Sequence, residues 1–295
     1  MILTKRISLL KLMAFTWPKL LFLVICVLLA SLMFHAVDDA KLRSLSYAAG
    51  FLGTALAFLI GFRNNAAYQR WWEAQQLWSK IKYECRHFTL LCKAFLPHEQ
   101  YRPLVELMVI FPWTVNAQLR NQVMEQRASV TLDADNWKSI QALPNPSLAI
   151  LDKINTSVAS LRRTEQLQVL EQLAITNVLK DLGAAFSGCE RLKKTPFPMQ
   201  YHWFMNYTLF VFLAILPLSL AGHLGYWSVL LSTVIGYAYI LLEYVGRFIE
   251  RPFENEVNDV PMNYLARTIE RELLALCGDT ELPPVELPRG NGYLY

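Results

Sequence analysis

Residues 50–78, GFLGTALAFLIGFRNNAAYQRWWEAQQLW, contain the abrupt change from lipid-suited to water-suited sequence around which the chain is arranged. The apolar half ends at Phe62, and from Arg63 onward the stretch is rich in amides, aromatic rings and charges. No proline interrupts it, so it predicts one helix that leaves a bilayer and continues into water. Thr54, Phe58 and Phe62 stand four residues apart and share one face of that helix. Repeated around a symmetry axis, this face would form a narrow, dry constriction that gates by dewetting.

Four apolar segments are long enough to cross a bilayer. They cover residues of about 20–36, 45–62, 203–222 and 227–244. Four cations and no acid precede the first span: Lys5, Arg6, Lys11 and Lys19. By the positive-inside rule they place the N-terminus in the cytoplasm, and an even number of spans returns the C-terminus there. A basic start before an apolar run also marks a signal peptide, but the long basic region and the prompt second span favour a membrane helix.

The predicted fold is an all-α integral membrane protein with four transmembrane helices and a cytoplasmic helical domain. The segments are an N-terminal part with the first two spans (1–62), the cytoplasmic domain (63–202), the last two spans (203–246), and a cytoplasmic helix with an extended tail (247–295). Outside the spans, the pattern predicts helices over 70–96, 101–126, 147–161, 165–192 and 262–277. Polar connections are expected over 37–44 and over 131–146, the second with at most one helical turn. Residues 107–113 are apolar but too few for a span, so they predict a buried helix.

Composition agrees with a membrane protein that has a large aqueous part. Of the 295 residues, 54% are hydrophobic, and the mean hydropathy is +0.25. The net charge of +4 is too small and too scattered to indicate nucleic-acid binding. Five cysteines without a CxxC pair are typical of buried thiols, so no disulfide is expected.

The motifs of common enzyme classes are missing from the sequence. It contains no GxxxxGK[ST], GxGxxG, HExxH or GxSxG pattern. The five histidines are far apart, and none stands at ligand spacing from another histidine or a cysteine. We therefore expect no enzyme activity, no cofactor and no bound metal. A carrier is disfavoured because no charged residue lies in the middle of a span; a membrane scaffold or sensor that binds a cytoplasmic protein is an open alternative.

Three ordered blocks of sequence resemble the bestrophin family in its bacterial branch. The first is FRNNAAYQRWWEAQQLW at 62–78. The second comprises GCER at 188–191, TPFP at 195–198 and Tyr201, and the third IERPF at 249–253 and NDVP at 258–261. The blocks follow the family's order, and the similarity covers nearly the whole chain.

The resemblance implies a homopentamer in a bacterial inner membrane, with an axial pore lined by the second span. Such a channel conducts small monovalent ions passively, and the family is named for anion channels. The resemblance also places Thr54, Phe58 and Phe62 at the pore neck and Phe197 at a second constriction at the cytoplasmic exit. The neck residues are neutral, so the residues themselves leave the sign of the permeant ion open. The expected partners are other copies of the chain, the lipid bilayer and small inorganic ions.

The first block also supplies an interfacial motif that is expected to lock the helix where it leaves the bilayer. Its members are Arg63, Asn64, Asn65, Tyr68, Arg70, Trp71 and Trp72. Arg70 is a candidate partner for Glu73 or Glu84. Arg63 is the exception for which we expect a direct role, because five copies beside a narrow neck would make a cationic ring that concentrates anions.

The third block bears on calcium. Eukaryotic bestrophins bind calcium at the matching place through a dense acidic run, but Asn255, Val257 and Asn258 interrupt the run here. Glu256 and Asp259 are the acids left at matching positions, and with Glu254 nearby they form at most a weak cation site. We therefore expect opening without calcium. The alternative is that Asn258 and Asp259 cap the helix that begins near Pro261.

Overall fold

A computed structural model describes residues 9–33, 39–122, 128, 132–256 and 258–287. Within these residues the secondary structure is nine α-helices and no strand, as the sequence predicts. The helices are α1 (Leu9–Met33), α2 (Asp39–Phe95), α3 (His98–Leu119), α4 (Ala134–Gln141), α5 (Pro146–Arg163), α6 (Val169–Lys194), α7 (Met199–Leu224), α8 (Trp227–Ile249) and α9 (Met262–Cys277).

The described residues form two compact units. Residues 9–70 and 196–251 make up the first, which we call the span unit and which holds α1, the N-terminal part of α2, α7 and α8. Residues 71–195 and 252–287 make up the second, which we call the polar unit and which holds the rest of α2, α3 to α6 and α9.

Helix α2 is continuous over 57 residues. The single helix predicted over residues 50–78 is confirmed, and it also includes the helix that the sequence predicted separately over 70–96. The polar connection predicted for 37–44 is wrong from Asp39 onward, because that short polar sequence has no glycine or proline to keep it out of the helix. Pro97, which lacks a backbone N–H, stands between α2 and α3.

The span unit contains four helices that are long and apolar enough to cross a membrane, so the chain is a multi-pass membrane protein. Within it α1, α7 and α8 pack against one another. Its core comprises Leu23, Val27, Leu56, Ile60, Met205, Leu209, Phe212, Leu213, Leu216 and Ile240. Two helices approach closely at Gly53, where an added Cβ would lie 2.9 Å from the Phe212 ring. None of the other described residues covers the opposite side of α2.

The polar unit is built around α3, which packs against α5, α6 and α9. Residues 107–113 are buried there, and α3 is not one of the four candidate spans, so the predicted buried helix is confirmed. The prediction of at most one helical turn over 131–146 is wrong, because α4 runs for eight residues and buries Ile140 in the core. The predicted helix over 262–277 is confirmed at both ends.

Candidate functional site

One face of α2 in the span unit has no partner among the residues that the structure describes. Thr54, Phe58 and Phe62 lie on it, and the two phenylalanines are 65% and 67% exposed. Leu56 and Ile60 lie between them in sequence and are buried in the core. The Thr54 hydroxyl donates to the backbone carbonyl oxygen of Gly50 in the same helix, 2.9 Å away. The face therefore offers few polar atoms that could replace the hydration shell of an ion.

The exposed face extends further than the sequence prediction. Tyr47 and Phe51 are 83% and 81% exposed and lie at three- and four-residue spacing before Thr54, so they continue the same stripe. That spacing was visible in the sequence. Apart from Thr54 the stripe is aromatic, and in the protomer it faces away from the core.

Arg63 comes directly after Phe62 in the sequence, but its side chain points into the protein. It is 2% exposed, and its two terminal nitrogens donate to Glu243 at 3.2 Å and to Glu250 at 3.1 Å. The cationic ring that we expected would need this side chain on the exposed face, whereas in the protomer it points inward. The physical reason is that a guanidinium at the end of an apolar run is costly unless it is paired. The two glutamates stand seven residues apart, Glu243 within α8 and Glu250 directly after it, and they supply the pairing.

A polar network surrounds Arg63, and we call it the Arg63 network. Its members are Lys19, Arg63, His202, Asn206, Glu243 and Glu250. The Lys19 ammonium donates to Glu243 at 2.6 Å and to the side-chain oxygen of Asn206 at 2.8 Å. The Asn206 amide nitrogen lies 2.9 Å from Nε2 of His202, whose Nδ1 lies 3.5 Å from Arg63. All four helices of the span unit contribute.

Sequence reasoning missed this network because its members look unrelated along the chain. Lys19 was interpreted only as a topology signal, and His202 only as an isolated histidine. The one available signal was that Glu243 and Glu250 share a helical face beside a predicted span end. Glutamates at that depth call for a cationic partner, which Arg63 and Lys19 provide.

The remaining motif residues fall in both units. In the span unit, Asn64 donates to the carbonyl of Leu242 at 2.9 Å, and Arg70 donates to the carbonyl of Glu250 at 3.3 Å. Asn65 and Tyr68 are exposed.

In the polar unit, the Trp71 indole donates to the carbonyl of Asn258 at 2.7 Å, Trp72 is 49% exposed, and Glu73 pairs with Arg191. Asn64, Arg70 and Trp71 therefore bond to backbone carbonyls.

Phe197 lies between α6 and α7 in the chain, with a proline on each side. The side chain is half-buried, and its ring meets the edge of Tyr201 with a centroid distance of 5.7 Å. Pro198 precedes the first residue of α7, and the two prolines restrict the backbone around Phe197.

The acidic loop of the polar unit does not fit a cation site. Asp259 is 3% exposed and accepts a hydrogen bond from the backbone N–H of Glu256 at 3.0 Å. Glu254 pairs with Lys193 at 2.8 Å, and Glu256 is exposed. Among the described side chains, no three metal-binding groups come together. Burial raises the pKa of Asp259, and nearby backbone N–H groups oppose that rise.

The alternative role proposed for this loop is also wrong. Helix α9 begins at Met262 after Pro261, and no side chain in the described part of the chain caps its first turn. Asp259 is instead used within its own loop, where Asn255 adopts a left-handed conformation with φ of 69°.

Comparison with known proteins identifies the family. A family model described as Bacterial/Fungal Bestrophin protein matches residues 5–275. The chain belongs to this bestrophin family. A relative in Escherichia coli strain K12, the voltage-dependent anion channel-forming protein YneE, is 31% identical over 238 residues, which cover 80% of this chain and 78% of that protein. The voltage-dependent anion channel-forming protein RSc3414 of Ralstonia nicotianae is 30% identical over 267 residues, or 89% of this chain and 87% of its own length.

Solved structures agree with the family assignment. A bacterial bestrophin homologue from Klebsiella pneumoniae, in a variant with one tryptophan replaced by alanine, superposes with a TM-score of 0.85 at 29% identity, covering 93% of this chain and all of that one. A second variant of that homologue, with one leucine replaced by threonine, gives a TM-score of 0.84, also at 29% identity, and the match covers 90% of this chain and 99% of that one. The protein thus has the bestrophin fold over most of its length.

Proposed function

We propose that this bestrophin assembles as a homopentamer and conducts small monovalent ions, chiefly chloride and other anions, passively across the bacterial inner membrane. The exposed face of α2 at Thr54, Phe58 and Phe62 carries the proposal. Its two large rings have no partner in the described part of the protomer, so they need either lipid or another copy. Curated relatives that are named anion channel-forming proteins support the same function.

In the pentamer, five copies of that face would surround the axis and form the neck. Phenyl rings and a self-bonded threonine leave little to replace an ion's hydration shell, so a narrow neck would impose a barrier of several kcal/mol. Wetting and drying of the neck then sets the conductance. Phe197, held between two prolines, would form the second constriction at the cytoplasmic exit.

Preference for anions would arise from the neck rings and not from Arg63. Arg63 is paired with Glu243 and Glu250, so it adds little net charge at the neck. A phenyl ring has a positive edge and a negative face, so Phe58 and Phe62 favour anions if their edges point to the axis. The neck itself is neutral, so a modest selectivity is expected.

The polar unit would lie in the cytoplasm together with both termini. Four cations before the first span support this topology, as does the charged surface of a unit that buries its apolar residues in its own core. Reporter fusions at Met1 and Tyr295 test it. Activity only outside the inner membrane would contradict the topology.

The decisive experiment is a flux assay with purified protein in liposomes. We expect chloride to leak down its gradient with no partner protein and no energy source, and reversal potentials in asymmetric salt to show an anion preference. Native mass spectrometry in mild detergent should show a pentamer. A stable monomer or dimer would rule out the axial pore.

A membrane scaffold is the second candidate, because the polar unit carries an open groove between α5 and α6. Leu143, Leu148, Leu179 and Lys180 are among its lining residues, and Leu148 is 56% exposed. An exposed apolar groove can receive a partner helix. Absence of flux in liposomes, together with stable assembly, would favour this function over the channel.

A further inference from the structure

The hydrogen-bond donors of the Arg63 network determine which ring nitrogen of neutral His202 carries the proton. An ammonium group can only donate, so the Asn206 atom that faces Lys19 at 2.8 Å is the side-chain oxygen. The amide nitrogen of Asn206, which also only donates, is then the atom 2.9 Å from Nε2 of His202. Nε2 must therefore accept, and the neutral imidazole carries its proton on Nδ1. The 3.5 Å approach of Nδ1 to the Arg63 guanidinium, which also only donates, is then a contact and not a hydrogen bond.

Protonation of His202 conflicts with this arrangement. The imidazolium would carry a second N–H on Nε2, pointing at the amide nitrogen of Asn206, which is itself a donor. Turning the Asn206 amide over would accommodate that proton, but it would present the amide nitrogen to the Lys19 ammonium and break their hydrogen bond.

The charges around His202 do not relieve the conflict. Arg63 of α2 and Arg247 of α8 face it with positive charge, and Lys19 of α1 is one hydrogen bond away through Asn206. The carboxylates that face it, Glu243 and Glu250, are already paired with Lys19 and Arg63. Protonated His202 would be a third cation in the network. It would compete with Lys19 and Arg63 for the same two carboxylates.

The Arg63 network is tied to the exposed face of α2. Arg63 comes directly after Phe62, yet it points into the protein while Thr54, Phe58 and Phe62 point out. Its bonds to Glu243 and Glu250 hold α2 against α8 from the side away from that face. If those bonds weaken, α2 is free to move toward the exposed side, and in a pentamer this movement would narrow the neck.

We propose that His202 is a pH-sensitive latch on the pore-lining helix: its neutral form keeps the Arg63 network closed, and its protonation opens the network and reduces ion flux. This proposal rests on the proposed channel function for its effect on flux, but the network and its response to pH belong to the protomer. The charge of an unperturbed histidine changes between about pH 5 and pH 8, so acidification through that range is the perturbation to apply. The closed state is favoured at high pH and lost as the pH falls.

The first test is chloride flux from liposomes between about pH 5 and pH 8, measured for the wild type, His202→Gln and Asn206→Asp. We expect wild-type flux to fall at least about threefold on acidification as the latch opens. A glutamine oxygen can accept from Asn206 and does not titrate, so His202→Gln should keep its flux across the range. An aspartate can accept from both Lys19 and the imidazolium, so Asn206→Asp should also keep its flux, although its histidine still protonates.

Each outcome decides between explanations. Wild-type flux that stays constant across this pH range overturns the latch and leaves the channel intact. If the pH response survives in His202→Gln, another titrating group causes it, and the latch is overturned as well. If Asn206→Asp only shifts the midpoint of the response, the charge of His202 acts alone and the donor conflict is overturned.

A measurement without ion flow separates the latch from the channel. In detergent, acidification should lower the thermal stability of the wild type more than that of Asn206→Asp, because only the wild type loses the closed network. If no variant conducts but this difference is present, the proposed function fails and the network stands. Equal losses in the two proteins would overturn the latch whatever the flux shows.

Discussion

Arg63 donates a hydrogen bond of 3.2 Å to Glu243, which follows it by 180 positions in the chain, and both side chains are almost fully buried. Lys19 shares the same carboxylate from a third helix. The end of the apolar part of α2 is therefore anchored through charges that the polypeptide brings together only when α1, α2 and α8 pack.

Removing the Glu243 carboxylate should therefore be strongly destabilising. In Glu243→Ala, the buried Arg63 and the partly buried Lys19 lose their shared partner, and a cost of about 3–5 kcal/mol is expected for breaking such a pair. Thermal unfolding in detergent measures the effect. The matched control is Glu254→Ala, since Glu254 pairs with Lys193 at a more exposed position and should change stability by less than about 1 kcal/mol. Similar effects of the two substitutions would contradict the anchoring role.

Gly246 should tolerate no side chain, because α8 passes close to α2 there. An added Cβ would lie 1.8 Å from the side-chain oxygen of Asn64, whose amide nitrogen already bonds to the carbonyl of Leu242. Gly246→Ala is expected to cost about 1–3 kcal/mol through overpacking.

The control for Gly246→Ala is Gly183→Ala. Gly183 is also in a helix, and an added Cβ would meet only ordinary contact, 3.9 Å from Leu151. Alanine favours a helix over glycine by about 1 kcal/mol, so this variant should be as stable as the wild type or more so. Melting curves of the two variants give the comparison. A harmless Gly246→Ala would mean that α2 and α8 lie further apart.

The local features of the fold were predictable from the sequence, and the partners across the fold were not. Helix α9 was predicted to the residue because Pro261 and Gly278 bound it, and Gly278 adopts a left-handed φ of 98°. Helix α4 was missed because only tertiary packing of Ile140 makes so short a polar helix stable.

The same distinction holds at the site. The spacing of Thr54, Phe58 and Phe62 predicted a shared face from helical geometry alone. The burial of Arg63 depends on Glu243 and Glu250, which lie far along the chain, and no local pattern announces that pairing. Long-range ion pairs of this kind require the packed structure.

Asp259 should make the stability of the protein depend on pH. Its pKa is raised by burial, so its protonated form suits the folded state better than its ionised form. The contribution of protonated Asp259 to folding stability is thus present at low pH. It is lost as the pH rises through the folded-state pKa, in a window above the ordinary aspartate value of about 3.9. Compared with Asp259→Asn, the wild type should gain relative stability as the pH is lowered from neutral toward that window. A constant difference between the two melting curves would contradict this.

Calcium should have no effect on ion flux. Asp259 is occupied by backbone N–H groups, and Glu254 is paired with Lys193, so the loop lacks free carboxylates in the number that calcium requires. Flux in the presence of a chelator should equal flux in micromolar calcium. A loss of flux with chelator that micromolar calcium restores would overturn this, and Glu256→Gln would then show whether this loop is responsible.

The neck gives the sharpest contrast between two interpretations of α2. If Phe58 and Phe62 face the axis, Phe58→Ala and Phe62→Ala should widen and wet the passage, raise the flux and cost little stability, because both rings are exposed in the protomer. The matched control on the same helix is Leu56→Ala, which is fully buried in the core of the span unit and should cost about 2–5 kcal/mol. Flux in liposomes, native mass spectrometry and melting curves of the three variants distinguish the cases. If the phenylalanine variants lose oligomeric integrity with unchanged conductance, their rings pack between copies of the chain, and the pore is lined by another part of α2.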